Sequence, residues 1–157
     1  MQFYEHDTLL GRITIAENAG HIVRISPAFD AGCLHGEKSE TPLIQEAFLQ
    51  LTMYFDGKLF DFSLPLAPQG TGFMQSVWRA LQEIPYGETV SYKDIAVKIG
   101  NPKAVRAVGM ANNRNPIAIV IPCHRVIGIN GQLIGYRSGL ENKRKLLELE
   151  TRHVAGR

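Results

Sequence analysis

Hydrophobic and polar positions alternate twice near the start of the chain. Arg12-Ile13-Thr14-Ile15 has a period of two, Asn18-Ala19-Gly20 supplies turn residues, and His21-Ile22-Val23-Arg24-Ile25 alternates again. Successive side chains of a strand point to opposite faces, so the pattern predicts a β-hairpin over residues 11–26. Residues 27–40, with Pro27, Gly32 and Gly36, read as loop. The period then lengthens. Leu43, Ile44, Ala47, Phe48, Leu51 and Phe55 recur at helical spacing, with Thr41 as N-cap, Pro42 at the first helical position and Gly57 as the stop.

Pro65, Pro68, Gly70 and Gly72 mark the predicted domain boundary. Phe73, Val77, Trp78, Leu81 and Ile84 then predict an amphipathic helix that Pro85-Tyr86-Gly87 ends. Ser91 is placed to cap a short helix through Lys98, Gly100-Asn101-Pro102 forms a turn, and Lys103 to Asn112 reads as a second helix rich in small residues. Two short helices about a glycine-containing turn make a helix-turn-helix pattern, although many helical pairs share it. Ile117 to Ile121 reads as a buried strand. Val126-Ile127 and Leu133-Ile134 flank Asn130-Gly131 as a hairpin, and a helix from about Leu140 to Glu150 follows.

The chain has 157 residues, 45% of them hydrophobic, enough for one core or two small ones. No run of about 18 apolar residues exists, and Glu5 and Asp7 break any secretory pattern at the start, so a cytoplasmic location without a membrane span is expected. The two cysteines, Cys33 and Cys123, are expected to be free thiols and are too few for a zinc site built on several thiolates. The net charge of +2 hides an asymmetry: residues 1–72 carry four Lys/Arg against nine Asp/Glu, or −5, and residues 73–157 thirteen against six, or +7. A basic second half suits a polyanion such as nucleic acid; a solvated basic surface without a partner stays open.

Candidate chemistry sits at Pro122-Cys123-His124-Arg125-Val126, directly after the apolar run. A cysteine reacts as its thiolate, which is a minor species near neutrality unless a base takes the proton. His124 is that base by type, but neighbours in a strand face opposite ways, so direct contact needs a bend or a bridging water. On these residues alone, a buried, inert cysteine next to a polar strand end is the favoured reading.

This pentapeptide, with Asn115-Pro116 before it, resembles the active-site signature of the O6-alkylguanine-DNA alkyltransferases, the methylated-DNA–protein-cysteine methyltransferases, of bacterial constitutive type. Ile84-Pro85-Tyr86-Gly87-Glu88-Thr89, Ser91-Tyr92, Arg106-Ala107-Val108-Gly109 and Gly135-Tyr136-Arg137 resemble that family in order and spacing, so residues 73–150 are covered throughout and the first 72 loosely. The resemblance implies an α+β fold: a small N-terminal α/β domain of ribonuclease-H-like topology over 1–72, then a C-terminal winged helix-turn-helix domain over 73–157 carrying both DNA binding and catalysis. It implies single-turnover transfer of an alkyl group from O6-alkylguanine in DNA, with O4-alkylthymine as a further candidate substrate, to Cys123. His124 would be the base acting through water, Glu150 the carboxylate orienting it, with Glu148 as nearby rival, and Tyr92 the donor to the leaving base. The backbone carbonyls of Cys123 and Val126 would accept the guanine amino group, Tyr136 would wall the alkyl pocket, and a small Ser138 suggests a roomy one. Arg106 would fill the stack when the damaged nucleotide is flipped out, with Ala107 and Gly109 on a helix entering the minor groove of double-stranded DNA and Asn115 as the hinge to the active-site segment. No cofactor is expected, and a monomer, with cooperativity along DNA left open.

One departure bears on metal. Some members hold a structural zinc through N-terminal Cys and His residues; this chain has only Cys33 there, so no zinc is expected and His6, His21 and His35 read as surface or core residues. Three other functions compete: a lesion binder lacking transfer, which the presence of Cys123 disfavours; a winged-helix regulator, which gives no reason for the Cys-His pair; and a cysteine hydrolase with a Cys-His-Glu triad, which needs no basic domain.

Overall fold

The computed structural model describes residues 1–32 and 34–157 and is of mixed α+β composition. Cys33, expected as a free thiol, lies outside the described residues. The chain forms two compact units, one of residues 1–69 with 116–118, the other of 70–115 with 119–157.

The first unit is a four-stranded sheet in the order β3-β2-β1-β4, built from β1 (Gln2–Thr8), β2 (Gly11–Asn18), β3 (His21–Pro27) and β4 (Glu37–Lys38), together with helix α1 (Pro42–Phe55). β1, β2 and β3 run antiparallel, and β4 joins β1 in parallel. The predicted hairpin is β2–β3. β1 was not legible because Phe3-Tyr4-Glu5-His6-Asp7 does not alternate cleanly and most of its residues are only half-buried. Ile13, Ile15, Ile22 and Ile25 of the sheet and Ile44, Ala47, Leu51 and Tyr54 of α1 form the core. As expected, the Thr41 side chain accepts from the Ile44 amide, and Pro42 opens the helix. Residues 116–118 lie against β3, the Ile25 amide donating to Pro116 O at 2.9 Å and the Ala118 amide to Ile25 O at 3.0 Å.

The second unit holds α2 (Gly72–Gln82), β5 (Val90–Ser91), α3 (Tyr92–Lys98), α4 (Val105–Asn113), β6 (Val126–Ile127) and α5 (Leu140–His153). α3 starts in a complete capping box, Ser91 accepting from the Asp94 amide and Asp94 from the Ser91 amide. Gly100, at φ +80°, makes the turn after it. Trp78 of α2 donates its indole N–H to Ala111 O of α4 at 2.9 Å, locking the helix pair from behind.

Two predicted strands are corrected. Residues 117–121 are not a strand: the chain makes isolated bridges and turns at Ile119, which is buried with a φ of +73°. A β-branched residue pays of order 1–3 kcal/mol for that conformation, so tertiary context overrides its strand propensity. Nor do Leu133-Ile134 form a hairpin with Val126-Ile127. β6 pairs in parallel with β5, Val90 opposite Val126, and residues 128–132 close a loop through Gly128 N–H to Gln132 O at 2.7 Å. No helix among the described residues is long and apolar enough to cross a membrane.

Candidate active site

Cys123, His124 and Arg125 form one turn of 3₁₀ helix, all three buried, immediately before β6. This bend removes the strand objection, because consecutive residues of a 3₁₀ turn do not face opposite ways. The turn lies against α5, whose residues Lys143, Leu146 and Glu150 recur at helical spacing and are all buried.

Glu150 is 1% exposed and fully engaged. Its Oε2 accepts from His124 Nε2 at 2.7 Å and Arg125 Nη2 at 2.9 Å; its Oε1 accepts from Arg125 Nε at 2.8 Å and the Gly87 amide at 3.2 Å. Against the burial that raises it, the bonds and charges of His124 and Arg125 hold the Glu150 carboxyl far below the usual carboxylate range. An ionised carboxylate only accepts, so His124 Nε2 carries the hydrogen. Nδ1 is then the unprotonated nitrogen, and it is buried without a hydrogen-bond partner among the described residues. Burial pushes the His124 pKa below its ordinary value, opposed by Glu150, so the imidazole is neutral and basic at Nδ1. Glu148, the rival carboxylate, is instead exposed and paired with Arg144 at 2.9 Å.

Gly87 shows how closely the preceding loop meets this carboxylate. Its φ is +80°, and a β-carbon there would lie 2.5 Å from Val154 Cγ2. Only glycine lets its amide reach Glu150 without displacing the end of α5.

Cys123 is 5% exposed. Burial pushes its thiol up, while the Asn115 side chain bonded to the sulfur and the nearby Lys143 charge pull it down. Asn115 also donates to Ile121 O at 2.8 Å, bracing the segment that leads into the turn. Asn112, on α4, donates to Cys123 O at 3.4 Å.

The Tyr92 hydroxyl, at the start of α3, donates to Ile134 O at 2.7 Å. Burial and the Cys123 charge both raise its pKa. Tyr92 also walls an open cavity of about 450 Å³ with Val105, Arg106, Gly109, Met110, Asn113, Ile134 and Gly135. The sulfur is not on the cavity wall; Tyr92 belongs to both neighbourhoods. The Tyr136 hydroxyl, raised well above its usual pKa by burial and by Cys123, is bonded to the Ser138 side chain. Val126 is buried beside β5. Arg106 and Ala107 are exposed in the first turn of α4, and Gly109 is half-buried, facing the Tyr92 ring.

The structure thus gathers Cys123, His124, Glu150, Asn115, Tyr92, Tyr136, Ser138 and Val126 about one turn and places Arg106, Ala107 and Gly109 along the adjoining helix. Sequence reasoning missed Arg125 and Lys143. The first was in plain view inside the pentapeptide; the second lies seven residues before Glu150, two turns away on the same face of an amphipathic helix. No cluster of His, Cys, Asp and Glu suited to a metal occurs among the described residues.

A buried thiol with a neutral histidine and an ionised carboxylate, set beside a helix-turn-helix, defines a nucleophilic-cysteine protein on a nucleic-acid-binding scaffold. Residues 72–152 match the 6-O-methylguanine DNA methyltransferase DNA-binding domain, and residues 2–68 match the ribonuclease-like domain of the same family. The constitutive methylated-DNA–protein-cysteine methyltransferase of Bacillus subtilis is 48% identical over 151 residues, 92% of each chain, and a methylated-DNA–protein-cysteine methyltransferase of Methanosarcina barkeri is 64% identical over 110 residues, 70% of each. The crystal structure of Mycobacterium tuberculosis OGT in complex with DNA matches with a TM-score of 0.92 at 44% identity, covering 98% of this chain and 94% of that one. The chain belongs to the 6-O-methylguanine DNA methyltransferase family, as its motifs suggested, with the expected ribonuclease-like and DNA-binding halves.

Proposed function

We propose that this protein repairs alkylated DNA by moving the alkyl group from guanine O6 onto Cys123 Sγ, once per molecule. The observation that carries the reading is the buried Cys123-His124-Arg125 turn locked onto Glu150, in which the imidazole of the residue next to the thiol keeps Nδ1 without a hydrogen-bond partner among the described residues. The thiol proton passes to His124 Nδ1 through a water, and Glu150 stabilises the resulting imidazolium. The thiolate attacks the alkyl carbon in line. A sulfur–carbon bond forms, the carbon–oxygen bond breaks, and the electron pair leaves on the guanine. The Tyr92 hydroxyl turns from Ile134 O to the base and donates to the developing anion. The product is a thioether, which has no route back to a thiol, so the protein is consumed.

Recognition follows from the same geometry. The carbonyls of Cys123 and Val126 accept the guanine amino group, while Tyr136 and Ser138 bound the alkyl pocket. The target nucleotide must leave the duplex, at a cost of a few kcal/mol. Arg106, exposed at the start of α4 and on the cavity wall, fills the vacated stack from the minor groove. The small Ala107 and Gly109 allow close approach, and Asn115 links helix and active-site turn. The protein works as a monomer on double-stranded DNA in the cytoplasm, without cofactor.

Intact-mass measurement after incubation with duplex DNA containing O6-methylguanine tests the reading. The expected result is one added methyl per chain, mapped to Cys123, with product never exceeding protein. Unmodified protein that still binds the lesion, or product in excess of protein, would overturn it. The Arg106 role has its own test. Arg106→Ala should slow repair of duplex DNA by roughly 30- to 100-fold, the equivalent of about 2–3 kcal/mol of flipping energy, and leave reaction with free O6-methylguanine base unchanged. Equal losses on both substrates would remove the stack-filling role.

A further inference from the structure

Lys143 is fully buried, and its ammonium spends its three hydrogens on neutral carbonyls: Val126 O at 2.6 Å, Ile134 O at 2.8 Å and Gly135 O at 3.3 Å. Its nitrogen is 5.9 Å from the centroid of the Tyr92 ring. No carboxylate pairs with it among the described residues. Glu150, on the same face of α5, is committed to Arg125, His124 and Gly87. The other ionisable groups gathered here do not supply a negative charge at rest: His124 is neutral, and the Tyr92 and Tyr136 hydroxyls are held protonated. Arg125 and Glu150 cancel. One positive charge therefore remains buried without a partner, an arrangement that costs several kcal/mol in a protein interior.

The thiol is the group that can balance it. Val126, whose carbonyl takes the shortest Lys143 bond, follows directly on the Cys123 turn, and the Val126 amide closes that turn onto Cys123 O. We propose that the Lys143 ammonium is the counter-ion of the Cys123 thiolate, a positioning residue that favours ionisation before transfer and is stranded by it afterwards. Electrostatics agree in both directions. Burial lowers the Lys143 pKa to about 8 and Cys123 is the charge that pulls it back up, while Lys143 is among the groups that lower the thiol. The same three bonds fix the Val126 carbonyl and tie residues 134–135 to α5. When Tyr92 swings to the base, Lys143 keeps the Ile134 carbonyl satisfied. Transfer replaces a thiolate by a neutral thioether, so the ammonium loses its only balancing charge while its carbonyl ligands stay.

The inference rests on Cys123 being the acceptor, but its tests need no DNA, so the two readings can fail separately. Iodoacetamide alkylates a thiolate, forming the sulfur–carbon bond and releasing iodide. Its rate against pH, scored at Cys123 by peptide mapping, gives the thiol midpoint. Lys143→Met should raise that midpoint by at least about one pH unit, slowing the reaction roughly tenfold or more at neutral pH. An unchanged midpoint in folded variant would overturn the proposal, since loss of packing alone would not move it upward. The unsubstituted protein supplies a second measurement that does not depend on the variant folding. The carbamidomethyl adduct from iodoacetamide and the carboxymethyl adduct from iodoacetate are nearly the same size, but only the second keeps a negative charge. The neutral adduct should melt several degrees below the charged one at neutral pH, and the gap should close above pH 10. Equal melting temperatures, or a less stable carboxymethyl adduct, would overturn the proposal.

Discussion

Replacing Cys123 with serine should abolish methyl uptake completely while leaving binding to lesion-bearing duplex within about twofold of the native protein. The change is nearly isosteric and leaves the backbone of the turn unaltered, so the pocket should survive. What disappears is the nucleophile. A thiol of ordinary pKa of about 8.5 can surrender its proton to a neutral imidazole at modest cost, and the thiolate is intrinsically reactive toward carbon. A hydroxyl ionises far less readily than a thiol, so the same His124 Nδ1 cannot take its proton to any useful extent. No compensating device exists in the turn, because Asn115 and Lys143 only trim the ionisation of whatever group sits there. Intact-mass and gel-shift measurements on one preparation decide it. Methyl found on the serine variant, at any residue, would refute the assignment of the acceptor.

Glu150→Gln should be the most damaging single change to stability. The native carboxylate takes four hydrogen bonds, two of them a fork from a guanidinium that is itself buried. An amide cannot cancel that positive charge, and it turns one acceptor into a donor facing Arg125 or His124. Breaking a buried pair from one side costs about 3–5 kcal/mol, a large part of a typical stability of about 5–15 kcal/mol. The pH dependence gives a second signature. Glu150 and His124 both have folded pKa values below their ordinary ones, so acid protonates the unfolded chain first. Native stability should therefore be full above about pH 6.5, fall below it as His124 sites in the unfolded chain take up protons, and fall more steeply below about 4.3. The variant lacks the second limb, so the two stability curves should converge in acid. Urea unfolding from pH 7 to pH 3 measures both. A constant gap between the curves would mean that the carboxylate carries no charge-dependent stability. Transfer should also slow sharply, since His124 loses the group that fixes its tautomer.

What the sequence disclosed divides along a physical line. Features set by local chemistry were readable: the Thr41 cap with Pro42, the Ser91 cap, the Asn18-Ala19-Gly20 turn and the helical periods of α1, α2 and α5 all depend on a few neighbouring residues. Features set by distant partners were not. Ile119 has strong strand propensity, yet the chain between Asn115 and Cys123 bends sharply there. β5 and β6 are two residues each, and they pair in parallel with one another across the intervening α3 and α4. The site showed the same division. Cys123, His124 and Glu150 could be named from the resemblance, but the 3₁₀ turn that replaces the expected strand at Cys123-His124-Arg125, and the sharing of Glu150 by Arg125, exist only in three dimensions. A lysine on the inner face of α5 looked like any helical lysine until its carbonyl ligands were seen.

The order of the reactive groups along the chain has a consequence for how such a molecule is made. Ribosomes deliver Cys123 well before Glu150 and Lys143, which share α5. Until that helix docks, the sulfur has neither an oriented imidazole nor a balancing cation, and it is no more reactive than any free thiol. A reagent that can be spent only once is therefore armed only when α5 docks, which spares it from stray electrophiles until then.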